Sequence, residues 1–258
     1  MTVPETLYRI PRRPWRWLPW LVLSQVLVVL TWVAWGWRCG LPLMVASHAL
    51  FMVPVFLPNS RFYAPVLSRL PGQARKVWLT IDDGPSADTP AVLDLLDRYE
   101  AKATFFLVGE RAQARPELVQ AMLARGHSLG NHSHRHPQTR FWRLGRQAMA
   151  EEIALCQQAL TAIAGTPPRW YRSVVGMTNP FVASALKQWQ LTRVGWSARG
   201  FDGVDCNPRQ VVERITRDLG PGSIVLLHEG AAHGHTLAII EAVLQAVQAR
   251  GLHAGLPD

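Results

Sequence analysis

The chain has 258 residues, 48% of them hydrophobic and 17% charged, with a formal net charge of +9. That length suits one globular domain plus an additional segment. The basic balance would invite a nucleic-acid partner, but its distribution argues against one: residues 1–76 hold nine Lys or Arg against Glu5 alone, while residues 77–258 hold 18 basic and 17 acidic side chains. Three widely spaced cysteines, Cys39, Cys156 and Cys206, suggest neither a disulfide framework nor a cysteine zinc knuckle.

Residues 17–37 carry no charge and follow Arg9, Arg12, Arg13 and Arg16. About 20 apolar residues cross the hydrocarbon core of a bilayer, and Trp15, Trp17, Trp20, Trp35 and Trp37 stand where interfacial aromatics anchor both ends. The run therefore reads as a transmembrane helix. A cleaved signal peptide competes, with Ser47 and Ala49 imitating a cleavage site, but a signal core spans only about 7–15 apolar residues. A second uncharged run, with a span at about 41–58, contains His48 and is interrupted by Pro42, Pro54 and Pro58. If it crosses, the pair is a hairpin turning at Arg38, Cys39 and Gly40, which puts Arg61, Arg69, Arg75 and Lys76 on the side of the N-terminus and the rest of the chain in the cytoplasm. If it instead lies along the membrane or packs on the domain, one span leaves the rest of the chain outside the cytoplasm. The hairpin is the favoured arrangement, anchored in a bacterial-type inner membrane. Residues 58–73 read as a linker, giving an anchor and linker over 1–74 and a soluble domain over 75–258.

Within that domain, short β-branched apolar runs at 77–81, 102–107 and 223–227 alternate with helical patterns at 89–99, 116–125, 144–164, 208–218 and 236–250, with Gly126 and Gly251 placed to end two of them. The alternation predicts an α/β fold with a parallel sheet, and about 184 residues are too few for a full eight-unit barrel, so an irregular (β/α) barrel is expected. Asp82 and Asp83, His132, Arg172 and His228 each follow a predicted strand, so the convergence of C-terminal strand ends should gather them on one face.

Adjacent carboxylates at Asp82 and Asp83, before Gly84 and Pro85, resist joint ionisation unless a cation is near. One can bind a metal while the other faces the substrate as a base. Turn chemistry and helix capping explain the same residues without function. The run from Gly130 to Pro137 holds His132, His134 and His136; on one helical turn or in a tight loop the first and third share a face. His132 and His136 are therefore expected as metal ligands with Asp83, and His134 as a solvent-facing or supporting residue. Two His and one carboxylate leave open coordination positions, as catalytic rather than structural sites do. Zn2+ is the expected ion, with Co2+ or Mn2+ as alternatives.

These residues resemble the motifs of the polysaccharide deacetylases, the NodB homology domain or carbohydrate esterase family 4, over residues 76–258. Thr80 to Pro85 is similar to the family's Thr-Phe-Asp-Asp-Gly-Pro, with Ile81 for Phe, and His132 to His136 to its His-Ser/Thr-x-x-x-His. Arg172 to Gly176 is similar to Arg-x-Pro-x-Gly but has Val174 in place of proline. Trp196 and Asp202 match a Trp with an Asp six residues on, although Gly203 stands where an aromatic usually follows. Leu227 and His228 match a Leu-His motif, followed here by Glu229. The resemblance implies an irregular barrel and a metal-dependent hydrolase removing an N-acyl group from an amino sugar of a cell-envelope glycan. It assigns Asp83, His132 and His136 to the metal, Asp82 to the general base held by Arg172, a backbone N–H near Val175 to the oxyanion, and His228, kept protonated by Asp202, to the acid. A lipid-linked saccharide precursor is the competing substrate, and a non-catalytic glycan-binding subunit the competing function. An amidohydrolase pairing His132 with His134 is a third alternative. No serine-hydrolase elbow, phosphate loop or dinucleotide fingerprint is present in the sequence.

Overall fold

A computed structural model describes residues 5–72, 75–205 and 207–257. Gln73, the expected end of the linker, and Cys206 lie outside the described residues. A 3-10 turn (Glu5–Leu7) precedes helix α1 (Trp17–Trp35) and helix α2 (Trp37–Met52), which runs on into a second 3-10 turn (Val53–Val55). The two helices are antiparallel. Gln25 donates to Ser47 Oγ at 2.9 Å, Ser47 Oγ lies 3.1 Å from Ser24 Oγ, and the Trp32 ring rests on Gly40, where a Cβ would come within 2.6 Å of it. The reversal sits at Gly36, with φ 70° and ψ −172°, a conformation open to glycine and strained for other residues. The turn thus comes earlier than Arg38–Gly40, and those three residues belong to α2. Nineteen helical residues rise ~28 Å, about the thickness of a bilayer's hydrocarbon core. Trp20, Val22, Leu23, Val29, Leu30 and Val33 are exposed along α1.

The remaining elements are β1 (Lys76–Gly84), α3 (Thr89–Arg98), β2 (Ala103–Leu107), α4 (Gly109–Ala114), α5 (Pro116–Ala124), β3 (Ser128–Asn131), α6 (Arg146–Ala164), β4 (Trp170–Tyr171), α7 (Val182–Gln188), β5 (Thr192–Arg193), β6 (Ala198–Arg199), α8 (Pro208–Asp218), β7 (Ile224–His228), α9 (Thr236–Ala249) and β8 (His253–Ala254). The strands pair in parallel in the order β5-β4-β3-β2-β1-β7-β6, with β8 beside the start of β1. Among the described residues β5 and β6 do not pair, so the sheet is a curled half-barrel. Local chemistry marks several ends: Asn207 caps α8 by accepting from the Arg209 and Gln210 amides, and Gly165 closes α6 in the left-handed region.

Residues 58–72 do not run free as a linker. Leu67 and Leu70 are buried, and Leu67 bridges to Val194 beyond β5 while Arg69 bridges to Ser223 before β7, spanning the two sides that the strands leave unpaired. Leu7 joins the same buried cluster as Leu67, Leu70, Trp78 and Trp170, and Tyr8 stacks on Trp170 with ring centroids 5.2 Å apart. The reason is the sheet's open side: without this segment, Trp78, Phe106 and Ile224 would face water.

The period-2 alternation of β1 divides two environments. Val77, Leu79 and Ile81 pack outward on the helices with α3, α8 and α9, whereas Trp78, Thr80 and Asp82 point into the barrel, from its closed end toward its mouth. On β2 the same rule sends Phe105 and Leu107 outward and Thr104 and Phe106 inward. Leu67→Ala, which opens a cavity in the inner cluster, should destabilise the fold by ~2–5 kcal/mol, read as a lower midpoint in thermal unfolding of the detergent-purified chain; no shift would mean that the segment is not part of the folded unit.

Candidate active site

The mouth of the half-barrel is a cleft lined by Asp82, Asp83, His132, His136, His228 and Trp196, among others. Strand register explains much of the convergence. Asp82 lies opposite His228 on β7 and opposite Phe106 on β2, and the amides of His132 and Arg172 continue the ladder to Leu107 and Asn131 carbonyls, each at 3.0 Å.

Adjacent strand residues ordinarily point to opposite faces, which would part Asp82 from Asp83. A bulge prevents this. The β1–β2 register shifts between Asp82 and Gly84, and Asp83 has φ 72°, which turns its carboxylate back to the mouth. Asp83 Oδ1 then lies 3.1 Å from His136 Nε2 and 3.5 Å from His132 Nε2. One donor atom from each of these three side chains falls within 4.8 Å of the others.

The histidine loop is a tight loop and not a helical turn. Asn131 Oδ1 accepts from the Ser133 amide and Ser133 Oγ accepts from the His136 amide, with Ser133 and His136 both left-handed. Buried Glu152 on α6 accepts from the amides of His134 and Arg135 at 3.0 and 2.9 Å and from the Arg135 guanidinium at 3.1 Å. His134 is not solvent-facing: it is buried against Gly109 and turned away from the cleft. The fit of a metal to the remaining set rests on two observations. His132 Nδ1 lies 2.9 Å from the Arg172 carbonyl, which fixes the tautomer that leaves Nε2 as an acceptor toward Asp83. Asp83 Oδ1 is sealed from solvent with no hydrogen-bond partner, a position that a cation would satisfy. Burial alone would push the Asp83 carboxyl up, but His132 and His136, when protonated and with no cation between them, outweigh it and hold it well below the usual carboxylate range.

Arg172 is fully buried and every side of its guanidinium is engaged. Nη1 donates to Asp82 Oδ1 and Thr80 Oγ1, both at 2.8 Å, Nη2 to the Gly195 carbonyl at 2.9 Å and Nε to the Val194 carbonyl at 3.4 Å, while Phe106 lies beneath it at 4.3 Å. Asp82 is thereby aimed by a buried charge pair, with its second oxygen 3.7 Å from His132 Nε2.

Across the cleft, Asp202 accepts from the His228 amide at 2.6 Å and meets His228 Nδ1 at 3.0 Å, which leaves Nε2 for the cleft. Burial depresses the imidazolium, but Asp202, with Asp82 and Asp83 behind it, reverses this and raises the pKa to about 9. A cation in the triad would offset the two more distant carboxylates, so Asp202 is the group that keeps the proton in place. Val175 lines the same mouth at φ 51°, a left-handed conformation that costs a β-branched residue on the order of 1–3 kcal/mol and is kept where surrounding structure imposes it.

The structure brings together all seven residues singled out in sequence, namely Asp82, Asp83, His132, His136, Arg172, Asp202 and His228. Sequence reasoning missed three others. Thr80 was legible only as part of a motif. Glu152 stands on the buried stripe Met149, Glu152, Ile153 and Cys156, and an acid on an apolar helical stripe could have marked it. Arg199, between Trp196 and Phe201, carried no pattern that distinguished it from a surface cation.

Residues 69–194 match the family model described as polysaccharide deacetylase. The chain is 32% identical over 188 residues to a chitooligosaccharide deacetylase of Bradyrhizobium sp. (strain ANU 289), covering 71% of this chain and 84% of that protein. It is 32% identical over 182 residues to a peptidoglycan N-acetylglucosamine deacetylase of Listeria monocytogenes, covering 69% of this chain and 37% of that protein. Among solved structures, a family 4 carbohydrate esterase from Streptomyces lividans in complex with acetate superposes with a TM-score of 0.65 at 34% identity, covering 72% of this chain and 94% of that one. With that model match and a deacetylase relative 32% identical over 84% of its length, the chain belongs to the polysaccharide deacetylase family.

Proposed function

We propose that this protein is a membrane-anchored, divalent-metal-dependent N-deacetylase acting on an amino sugar of a cell-envelope glycan. The observation that carries the reading is the single cleft that holds an Asp-His-His triad, a carboxylate aimed by a buried arginine and an imidazole held by a buried carboxylate on the opposite wall. Asp83, His132 and His136 would hold the ion, Zn2+ by the chemistry of the donor set, with Co2+ or Mn2+ able to replace it. When bound, the ion would supply Lewis acidity to the amide carbonyl and to the attacking water.

The chain's own residues do the rest. Asp82, fixed by Arg172 and Thr80, takes a proton from the attacking water as its oxygen adds to the acyl carbon. The backbone at Val175 and Gly176 lines the cleft where the carbonyl oxygen gains charge. His228, oriented through Nδ1 by Asp202, gives the proton at Nε2 to the amine nitrogen as the carbon–nitrogen bond breaks, so a carboxylate and a free amine leave. Trp196 forms one wall and excludes water.

A lipid-linked saccharide is a second substrate reading, and one observation favours it. The base of the α1–α2 hairpin packs on the rim of the cleft: Pro58 and Trp196 both meet Gly176, Thr178 donates its amide to the Val55 carbonyl at 2.9 Å, and Phe56 lies against Trp142 with centroids 5.9 Å apart. A hairpin crossing the bilayer would hold the mouth near the lipid surface. The arginines at its base, Arg12, Arg13, Arg16 and Arg61, favour the cytoplasmic face of an inner membrane.

The deciding experiment is acetate and formate release by detergent-purified protein from neutral glycan oligomers and polyprenol-linked amino sugars, with metal present and after chelation. Release should require metal and fall by ~100- to 10,000-fold in Asp82→Asn; no release from any metal-loaded sample would leave the glycan-binding reading. In Asp202→Asn, loss of the carboxylate lowers the His228 pKa, so His228 loses its proton earlier as pH rises and the alkaline limb of the kcat/KM profile should move to lower pH; an unmoved limb would remove His228 as the acid. Glu152→Gln, which slackens the loop carrying His132 and His136, should weaken Zn2+ affinity ~10- to 100-fold in a competitive chelator titration, whereas unchanged affinity would make Glu152 a support for folding alone.

A further inference from the structure

The charges of the cleft are almost all matched. Asp82 is paired with Arg172 and His228 with Asp202, and Asp83 belongs to the triad with His132 and His136. Arg199, at the end of β6, is different. Its register partner on β7 is Leu226, two residues or ~7 Å of strand before His228, a distance that an extended arginine side chain covers. It lines the same cleft as the triad and His228. Its guanidinium lies 4.2 Å from the Phe201 ring centroid and 5.1 Å from that of Trp196. Its Nε is sealed from solvent without a partner, and among the described residues no hydrogen bond or ion pair reaches the group.

The Nε of this half-buried guanidinium loses hydration without recovering it, while its terminal nitrogens remain open to the cleft, and burial pulls the group's pKa down, opposed by Asp202 and Asp82. The two rings recover part of that cost and also hold the planar fork in one orientation. Such a group is pre-organised for a planar or tetrahedral set of anionic oxygens, for which arginine has the matching donor geometry.

We propose that Arg199 is an oxyanion-binding residue of the substrate site, so that the preferred amino sugar carries a phosphate ester or a carboxylate within reach of the scissile amide. This rests on the deacetylase reading of the cleft and narrows its substrate class. A phosphate is the form in which a sugar is joined to a polyprenol carrier, and a carboxylate is carried by a lactyl ether on the sugar. The chemistry at Arg199 is shared, and the substrate decides the source. Phe201 and Val204, exposed beside it on the rim, suit the apolar part of a carrier.

The test compares wild type, Arg199→Gln and Arg199→Lys as full-length protein in detergent with metal, on three N-acetylated substrates: a neutral oligosaccharide, a polyprenol-phosphate-linked sugar and a lactyl-ether sugar. The readout is the ratio of kcat/KM for each charged substrate to that for the neutral one. In Arg199→Gln the ratio for the cognate charged substrate should fall roughly 10- to 100-fold, with partial recovery in Arg199→Lys; the substrate whose ratio responds identifies the oxyanion. Equal loss on all three substrates, or no change in either ratio, would overturn the proposal. Calorimetric titration with N-acetylglucosamine 1-phosphate and N-acetylmuramic acid, each against N-acetylglucosamine, separates the two readings: charged-ligand binding that is weakened in Arg199→Gln supports the inference even if wild type hydrolyses nothing, whereas hydrolysis of neutral sugar with charge-insensitive binding and rates refutes the inference alone.

Discussion

A single buried guanidinium organises the barrel. Arg172 arrives from the end of β4, crosses the interior over Phe106 and ends on Thr80 and Asp82 of β1 and on the carbonyls of Val194 and Gly195. A charge with so little exposure is tolerated because each donor has an acceptor and the counter-ion is beside it. Removing one partner would leave the other charged and unpaired in a dry interior, at a cost of about 3–5 kcal/mol. The network therefore fixes the spacing between β1, β4 and the segment before β6, and with it the position of the carboxylate at the mouth.

Around that pair, function is set by local departures from regular structure. The bulge at Asp83 and the left-handed residues Ser133, His136 and Val175 all lie at the mouth, while the strands beneath them keep regular parallel register. A regular β1 would send Asp83 away from the histidines, and a helical loop could not place the His132 and His136 rings on it while Glu152 gathers the intervening amides. Rigidity comes from buried acids and amides under the loop: Glu152, Asn131 and Ser133 spend their acceptors on its backbone. On the far wall, Asp202 holds both the ring and the amide of His228, so the ring's orientation is fixed at two points.

The N-terminal segment is more than an attachment. Leu7, Tyr8, Leu67 and Leu70 complete the inner cluster, and Pro58 and Asn59 brace Trp196 and Gly195 at the cleft. The apolar hairpin and the catalytic rim are thus continuous through the 3-10 turn at Val53–Val55, which ties the direction of the hairpin to the direction in which the cleft opens.

Sequence by itself determined the class of the fold and named the residues that gather in the cleft. The alternation of apolar strands with long helical patterns announced a parallel α/β sheet, because periods of 2 and 3.6 are imposed by backbone geometry and survive in the order of residues. Helix ends at Gly126, Gly165 and Gly251 follow local φ preferences, and the longer helices α3, α5, α6, α8 and α9 lie within two residues of where periodicity puts them. Short elements such as β5, β6, β8, α4 and α7 were not legible, since two to seven residues hold too few periods to register. The early hairpin turn at Gly36 and the docking of residues 58–72 escaped for another reason: both depend on packing between elements that periodicity does not encode, Gly40 against Trp32 across the helix pair and Leu67 against Val194 far away in the chain. Tertiary structure alone decided that His134 is buried away from Asp83, His132 and His136, that Glu152 holds the histidine loop and that Arg199 stands, among the described residues, without a pairing partner in the cleft. Each is a statement about which groups a side chain meets or lacks, and pairing across the fold is information that linear spacing does not carry.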